Sequence, residues 1–177
     1  MSEQTSVTLN LRSYIRDLPD YPSAGITFRD ITPLLVDGDA LRAALVQLAE
    51  LVPADTQLIA GMEARGFIFG AALAQHLGIG FVPIRKAGKL PPPVKSFTYD
   101  LEYGQATVEL RDETLPPGAK VVLLDDVLAT GGTAEAGAEL LELVGAEVLA
   151  VVFLLELAGL PGRERLAGRA VSSVLVL

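Results

Sequence analysis

The sequence has no cysteine and no tryptophan, and a single histidine, His76. The first absence excludes disulfides, thiol nucleophiles and cysteine-ligated metals, and suits a cytoplasmic chain. One histidine leaves no cluster for zinc. No uninterrupted apolar run approaches the roughly 18 residues that a membrane span needs. The first residues, MSEQTSVTLNLRSY, lack a basic segment followed by an apolar one, so no secretory signal is expected. Positive charge is scarce as well. The 14 Lys and Arg against 22 Asp and Glu leave a net charge of −8, which argues against nucleic-acid and anionic-membrane partners.

What is present is a half-apolar chain of 177 residues, enough for one domain with a substantial core. Its few cations are unevenly placed. Between Gly61 and Lys95 stand Arg65, Arg85, Lys86, Lys89 and Lys95 against one acid, Glu63. That is +5 − 1 = +4, leaving −12 elsewhere. A basic patch in an acidic chain suits a small, highly charged anion; a solvated basic loop is the plainer alternative.

The most informative stretch is Val121–Thr133, VVLLDDVLATGGT. Four apolar residues lead into Asp125 and Asp126, and a small-residue turn, Ala129-Thr130-Gly131-Gly132-Thr133, precedes a helical pattern. The pattern predicts a strand buried on both faces, ending at the acids, then a turn and a helix. Such junctions lie at the carboxyl edge of an open α/β sheet, where ligands bind. The turn offers backbone N–H groups to an anion. The adjacent acids suit sugar hydroxyls or a hydrated Mg²⁺. Together these features imply a phosphorylated sugar.

The remaining pattern predicts a helix over 7–17, a loop over 20–33 carrying Phe28 and Arg29, and a helix over 39–51 capped by Asp37 or Asp39. A phenylalanine and an arginine on a loop suit a binding surface, although Phe28 also suits a packing plug. A strand over 58–62 runs into the polar turn Glu63–Gly66, followed by a helix over 67–76 in which His76 faces solvent near the C-terminus. A strand over 80–85 has Pro83 at an edge or irregular position. The basic, proline-rich loop Arg85–Lys95 leads into alternating strands over 97–103 and 106–111, a hairpin able to act as a lid. Then come the 121–133 unit, a helix over 133–144, an apolar strand over 147–157 expected at the centre of the sheet, a short helix after Pro161, and a last strand over 171–177. Strands alternating with helices imply a parallel twisted sheet with helices on both faces.

The turn is neither a Walker A loop nor a dinucleotide fingerprint, since it lacks GxxxxGK and GxGxxG. Its thirteen residues resemble the phosphoribosyl pyrophosphate motif of the type I phosphoribosyltransferases. Phe28-Arg-Asp-Ile-Thr-Pro33, Gly61-Met-Glu-Ala-Arg-Gly-Phe67, Ile84-Arg-Lys-Ala-Gly-Lys-Leu-Pro91 and Leu101-Glu-Tyr-Gly104 resemble further blocks of the adenine-specific members, in order and spacing. The resemblance covers essentially the whole chain. It implies one phosphoribosyltransferase domain over 1–177, with an N-terminal, base-reading hood over 1–35 and a flap hairpin over 86–111.

The implied reaction joins adenine to 5-phosphoribosyl 1-pyrophosphate and yields AMP and pyrophosphate, with Mg²⁺. Carried over by position, Asp125 and Asp126 hold the ribose hydroxyls, and Ala129, Thr130, Gly131, Gly132 and Thr133 the 5′-phosphate. Glu63, Ala64, Arg65, Arg85, Lys86 and Lys89 serve the pyrophosphate, in part across a homodimer. Thr27, Phe28, Arg29 and Val127 meet the adenine, with Phe28 and Val127 as its two faces. Glu102 in the flap handles the adenine proton, with Arg65 and Lys89 as the other catalytic groups; an ordinary solvated strand residue is the alternative for Glu102. Mg²⁺ is carried mainly by substrate, with Asp125 the protein candidate. Family members often have a cis peptide at the position of Glu63-Ala64. The flap departs from the family in its Pro91-Pro92-Pro93 run, which implies a stiffer loop.

Base choice has its own argument. Related enzymes for 6-oxopurines read the oxygen with a lysine on a later strand, and no lysine follows Lys120 here. Adenine's 6-amino group needs an acceptor instead, such as a backbone carbonyl in the 26–28 loop. A transferase for hypoxanthine, guanine or xanthine, or a non-catalytic phosphoribosyl pyrophosphate-binding regulator, is the alternative; the regulator lacks room for a DNA-reading module.

Overall fold

The computed structural model describes residues 9–100, 104–111 and 113–177. The chain forms two compact units, Met1–Gln47 and Leu48–Leu177.

In the first unit the helix expected over 7–17 is absent from the described residues. Leu11–Tyr14 makes a single 3-10 turn, and Arg16–Leu18 is extended as β1. The cause is local. The Asn10 side chain accepts from the Arg12 N–H, and the Ser13 hydroxyl donates to the Asn10 carbonyl at 2.7 Å. Such bonds compete with helix propagation. The predicted loop is also partly ordered, since Phe28–Asp30 forms β2, antiparallel to β1 with Leu18 opposite Phe28. Two helices follow, α1 (Thr32–Val36) and α2 (Gly38–Glu50). Asp37 is the cap of α2: its Oδ1 accepts from the N–H groups of Asp39 and Ala40 at 3.0 and 2.9 Å.

The second unit is built on a seven-stranded sheet. Its strands are β3 (Leu58–Met62), β4 (Gly80–Lys86), β5 (Val94–Asp100), β6 (Gln105–Arg111), β7 (Lys120–Leu128), β8 (Glu147–Glu156) and β9 (Val171–Val176). Their order is β5-β6-β4-β3-β7-β8-β9. β4, β3, β7, β8 and β9 are mutually parallel, while β5 and β6 form the antiparallel hairpin. β8 is an interior strand but not the central one, which in this order is β3. An all-apolar run reports burial on both faces, and β8 obtains that with one strand, β9, beyond it. The hairpin joins β4 only through Arg85–Glu109 and Lys86–Val108. Pro83 therefore pairs with Gly61 on one side and carries no ladder on the other, as its missing N–H requires.

Three helices complete the unit: α3 (Arg65–Leu77), α4 (Gly132–Leu143) and the one-turn α5 (Gly162–Arg165). α4 lies against Met62 and Leu123, and α3 against Phe81 and Gly61. Adjacent residues of a strand point to opposite faces, so the two helices cover the two faces of the sheet. The core on the α4 side includes Ala60, Met62, Ile84, Leu123, Phe153 and Leu140. His76 is exposed in the last turn of α3, which Gly78 closes in the left-handed conformation.

Candidate active site

The strand that carries the acids does not stop at them. The β3 ladder on β7 ends at Leu124, opposite Gly61, whereas the β8 ladder continues through Asp125–Phe153 and Val127–Leu155 to Leu128. β7 thus overhangs β3, and Asp125 is the first residue past the point where one flank opens. The predicted end at the acids is corrected: the apolar run marks the part flanked by strands on both sides, and the acids the part flanked on one.

The turns after β3 and β4 approach this overhang. The Glu63-Ala64 peptide is cis, and α3 starts immediately after it. α3 sits so close to β7 that a Cβ on Gly66 would lie 2.9 Å from Asp125 Oδ1 and from the Leu124 carbonyl oxygen. This approach carries Arg65 to the acids, where its Nε donates to Asp126 Oδ2. Asp126 is 4% exposed, while Arg65 keeps half its side chain in solvent. Desolvation works against the Arg65 charge, but the bond to Asp126 and the two carboxylate charges outweigh it and raise its pKa.

Asp125 is half-buried, and its Oδ1 accepts the Asp126 N–H at 2.9 Å. Burial, then the charge of Asp126, pushes its carboxyl well above the ordinary aspartate range. On the other side of the site Glu63 accepts from Arg85 Nε and Nη2 at 3.2 and 3.3 Å and from the Lys86 N–H at 2.9 Å. The Arg85 bond holds the Glu63 carboxyl below its ordinary range, against desolvation.

These groups surround a cavity of about 500 Å³ lined by Glu63, Ala64, Arg65, Lys86, Asp125, Asp126 and Thr133, with Met62, Tyr99, Ala106 and Val108. Seven residues predicted for the pyrophosphate or the ribose 5-phosphate, from the turns after β3 and β4 and from the end of β7 and its turn, thus meet in one place. Arg85 is not in the lining; it stands behind, held by Glu63. Lys89 is not in the lining either, and its carbonyl accepts from Arg85 Nη1 at 3.4 Å. Thr130, Gly132 and Thr133 line an adjoining cavity of about 620 Å³ with Asp100, Pro161, Glu164 and Arg165. Ala129 precedes it, and Gly131 is the left-handed N-cap of α4 with φ +84°. Val127 is half-buried in β7. Glu102 lies outside the described residues.

Of the residues expected to meet the base, Thr27, Phe28 and Arg29 belong to the first unit and Val127 to the second. Thr27 is exposed and precedes β2. Phe28 meets Tyr21 edge to face, with ring centroids 5.3 Å apart. Arg29 Nη1 pairs with Asp17 Oδ1 at 2.6 Å, while its buried Nε has no partner among the described residues.

Two residues escaped the sequence reading. Tyr99, seen only as one of the apolar positions of an alternating strand, reaches the glycine turn: its hydroxyl is 3.3 Å from Thr133 Oγ1. Arg165, in what reads as a surface turn, lies against Gly132. No local motif signals either contact, because each depends on strands and turns distant in sequence.

As to a metal, no group of three or more His, Asp or Glu side chains converges among the described residues. The donors present are the hard oxygens of Asp125 and Asp126, with Asp126 already engaged by Arg65. Asp125 fits Mg²⁺ in the way that ion is usually bound in phosphate sites, through one or two carboxylates and the substrate's own oxygens.

The phosphoribosyl transferase domain model matches residues 28–170. The chain is 57% identical over 166 residues to the adenine phosphoribosyltransferase of Methylococcus capsulatus, covering 93% of this chain and 97% of that one. The crystal structure of adenine phosphoribosyltransferase from Thermoanaerobacter pseudethanolicus superposes with a TM-score of 0.91 at 45% identity, over 94% of this chain and 98% of the other. The Saccharomyces cerevisiae adenine phosphoribosyltransferase, complexed with an imino-altritol bisphosphate and adenine, superposes at 0.87 with 38% identity, over 93% and 96%. The geometry of the sheet edge, the glycine turn and these matches lead to one conclusion: the chain belongs to the phosphoribosyl transferase family.

Proposed function

We propose that the chain transfers the 5-phosphoribosyl group from 5-phosphoribosyl 1-pyrophosphate to adenine, giving AMP and pyrophosphate, in purine salvage. The observation that carries this reading is the single cavity in which Ala64, Arg65 and Lys86 face Asp125, Asp126 and Thr133. It offers cations and carboxylates side by side, as a ligand with a diphosphate next to a diol requires. The adenine assignment draws on the relatives at 57% and 45% identity and on the missing lysine beyond Lys120.

In this reading the 5′-phosphate accepts from the backbone N–H groups and hydroxyls of Ala129–Thr133 at the N-terminus of α4. Asp125 and Asp126 accept from the ribose hydroxyls. A ring nitrogen of adenine attacks the anomeric carbon, and the bond from that carbon to the pyrophosphate oxygen breaks. Positive charge builds on the ribose and negative charge on the leaving group. Arg65, pinned by Asp126 but half in solvent, presents its positive charge to that oxygen. Lys86, Lys89 and Arg85 add charge around the pyrophosphate, with Glu63 fixing the Arg85 fork and the Lys86 backbone. Glu102 takes the proton from the attacking base. Bound Mg²⁺ supplies charge neutralisation on the diphosphate, with Asp125 the protein group to hold it. Thr27, Phe28, Arg29 and Val127 meet the base; the unpartnered Arg29 Nε is a donor that a ring nitrogen could accept from. The chain works as one phosphoribosyltransferase domain in a cytoplasmic homodimer, with no nucleic-acid or membrane partner; no described helix is long and apolar enough to cross a membrane.

The test is turnover with phosphoribosyl pyrophosphate and adenine, hypoxanthine, guanine or xanthine. AMP from adenine, at a kcat/KM at least about 100-fold above the other bases, is expected. Preference for another purine, or saturable binding with no turnover, overturns the assignment.

A further inference from the structure

The glycine turn contains no cation, and carboxylates surround it: Asp125 and Asp126 precede it, Glu135 lies in the first turn of α4, and Asp100 and Glu164 line the cavity beside it. A phosphate dianion held there by backbone groups alone would sit in a negative field. One element corrects this. α5 is docked onto the turn by close contacts of Gly162 with Ala129 and Gly131. A Cβ on Gly162 would lie 2.5 Å from the Ala129 carbonyl oxygen, and one on Gly131 2.9 Å from that of Gly162. The docking lays the Arg165 guanidinium over Gly132, where a Cβ would meet Nη1 at 3.2 Å and Cζ at 3.3 Å. Among the described residues, Arg165 is the only cation lining the adjoining cavity, which it shares with Thr130, Gly132 and Thr133. Its Nε is spent on Glu135 Oε2, at 2.5 Å. Glu135 thereby fixes the plane of the guanidinium and leaves the two terminal amino groups on the side of Gly132.

We propose that Arg165 is a binding residue of the 5′-phosphate site, supplying from α5 the positive charge that the turn lacks. The proposal rests on the assignment of the turn to a phosphate monoester. A guanidinium is suited to the task because it stays charged at every working pH and can hold a carboxylate with one edge while offering donors from the other.

The experiment measures affinities of the whole chain for AMP and for adenosine by calorimetry. The wild type should prefer AMP; without that preference the phosphate assignment itself falls. Given it, Arg165→Ala should cut the preference by about tenfold or more, the scale of one charged hydrogen bond, with adenosine binding unchanged. Arg165→Gln keeps a donor for Glu135 without the charge, and should lose the preference too. Glu135→Ala breaks the same ion pair from the other end and removes a negative charge, so AMP should bind as well or better. If Arg165→Ala and Glu135→Ala weaken AMP alike, Arg165 is only a tether and the proposal fails. It also fails if both Arg165 variants keep the full preference.

Discussion

The two cradles assigned to anions are built from opposite materials. The turn after β7 is made of backbone: Gly131 at φ +84°, successive N–H groups at the start of α4, and no charged side chain of its own. The turns after β3 and β4 are made of side chains, and two of their cations are tied to carboxylates, Arg65 to Asp126 and Arg85 to Glu63. A backbone cradle gains its shape from tight packing and tolerates no added atom. A charged cradle gains its shape from ion pairs, and each pair moderates the charge it positions. The first should fail abruptly on mutation, the second by degrees.

The largest effect is therefore expected at Gly131. Its left-handed φ costs an alanine roughly 1–2 kcal/mol, and the new Cβ meets the Gly162 carbonyl oxygen at 2.9 Å. Gly131→Ala should lower kcat/KM by about 100-fold or more and reduce the melting temperature. Near-normal activity would show that the turn is not the rigid cradle described.

Asp125→Asn should act in opposite directions on activity and stability. Turnover should fall by roughly 10–100-fold through loss of a ribose contact. The raised pKa means that the native state holds a proton which the unfolded chain releases. Stability contributed at this site is thus lost as pH rises from the ordinary aspartate range through the raised value. Without substrate or Mg²⁺ at neutral pH, the neutral asparagine should melt higher, by a few degrees for a chain of this size. A lower melting point would contradict the cost assigned to that buried charge.

Glu63→Gln tests the charged cradle more gently. It should raise the KM for phosphoribosyl pyrophosphate by about 3–10-fold with kcat little changed, since Arg85 is loosened but kept. Glu63 has a lowered pKa, so its stabilisation is present above the ordinary glutamate range and lost as pH falls through the folded value. Acid titration of the melting temperature should accordingly flatten in the variant. The smallest effect belongs to Tyr99→Phe. Removing a hydroxyl 3.3 Å from Thr133 Oγ1 should change KM by about 2–3-fold, read from initial rates.

The difference between the cradles also explains what was legible in the sequence. A backbone cradle has a local signature: an apolar run, acids and small residues in immediate succession. Hence β7, its turn and α4 were readable together, apart from the overhang past Asp125, which depends on where β3 ends. A charged cradle shows its residue types but not their partners. Arg65 and Asp126 are 61 positions apart and Arg85 and Glu63 22, so neither pair leaves a local pattern. The hairpin was legible through its alternation, Tyr99's reach across to the turn was not. The 7–17 region misled because apolar spacing outvoted Asn10 and Ser13, whose side chains bind the backbone and arrest the helix after one turn.

The division of labour between the two cradles is tested most directly by one crystal structure, grown with AMP, pyrophosphate and Mg²⁺. The account predicts the 5′-phosphate on the N–H groups of Gly131–Thr133, the ribose hydroxyls on Asp125 and Asp126, and pyrophosphate against Ala64, Arg65 and Lys86. Pyrophosphate seated on the glycine turn, or the AMP phosphate seated against Arg65 and Lys86, would contradict it.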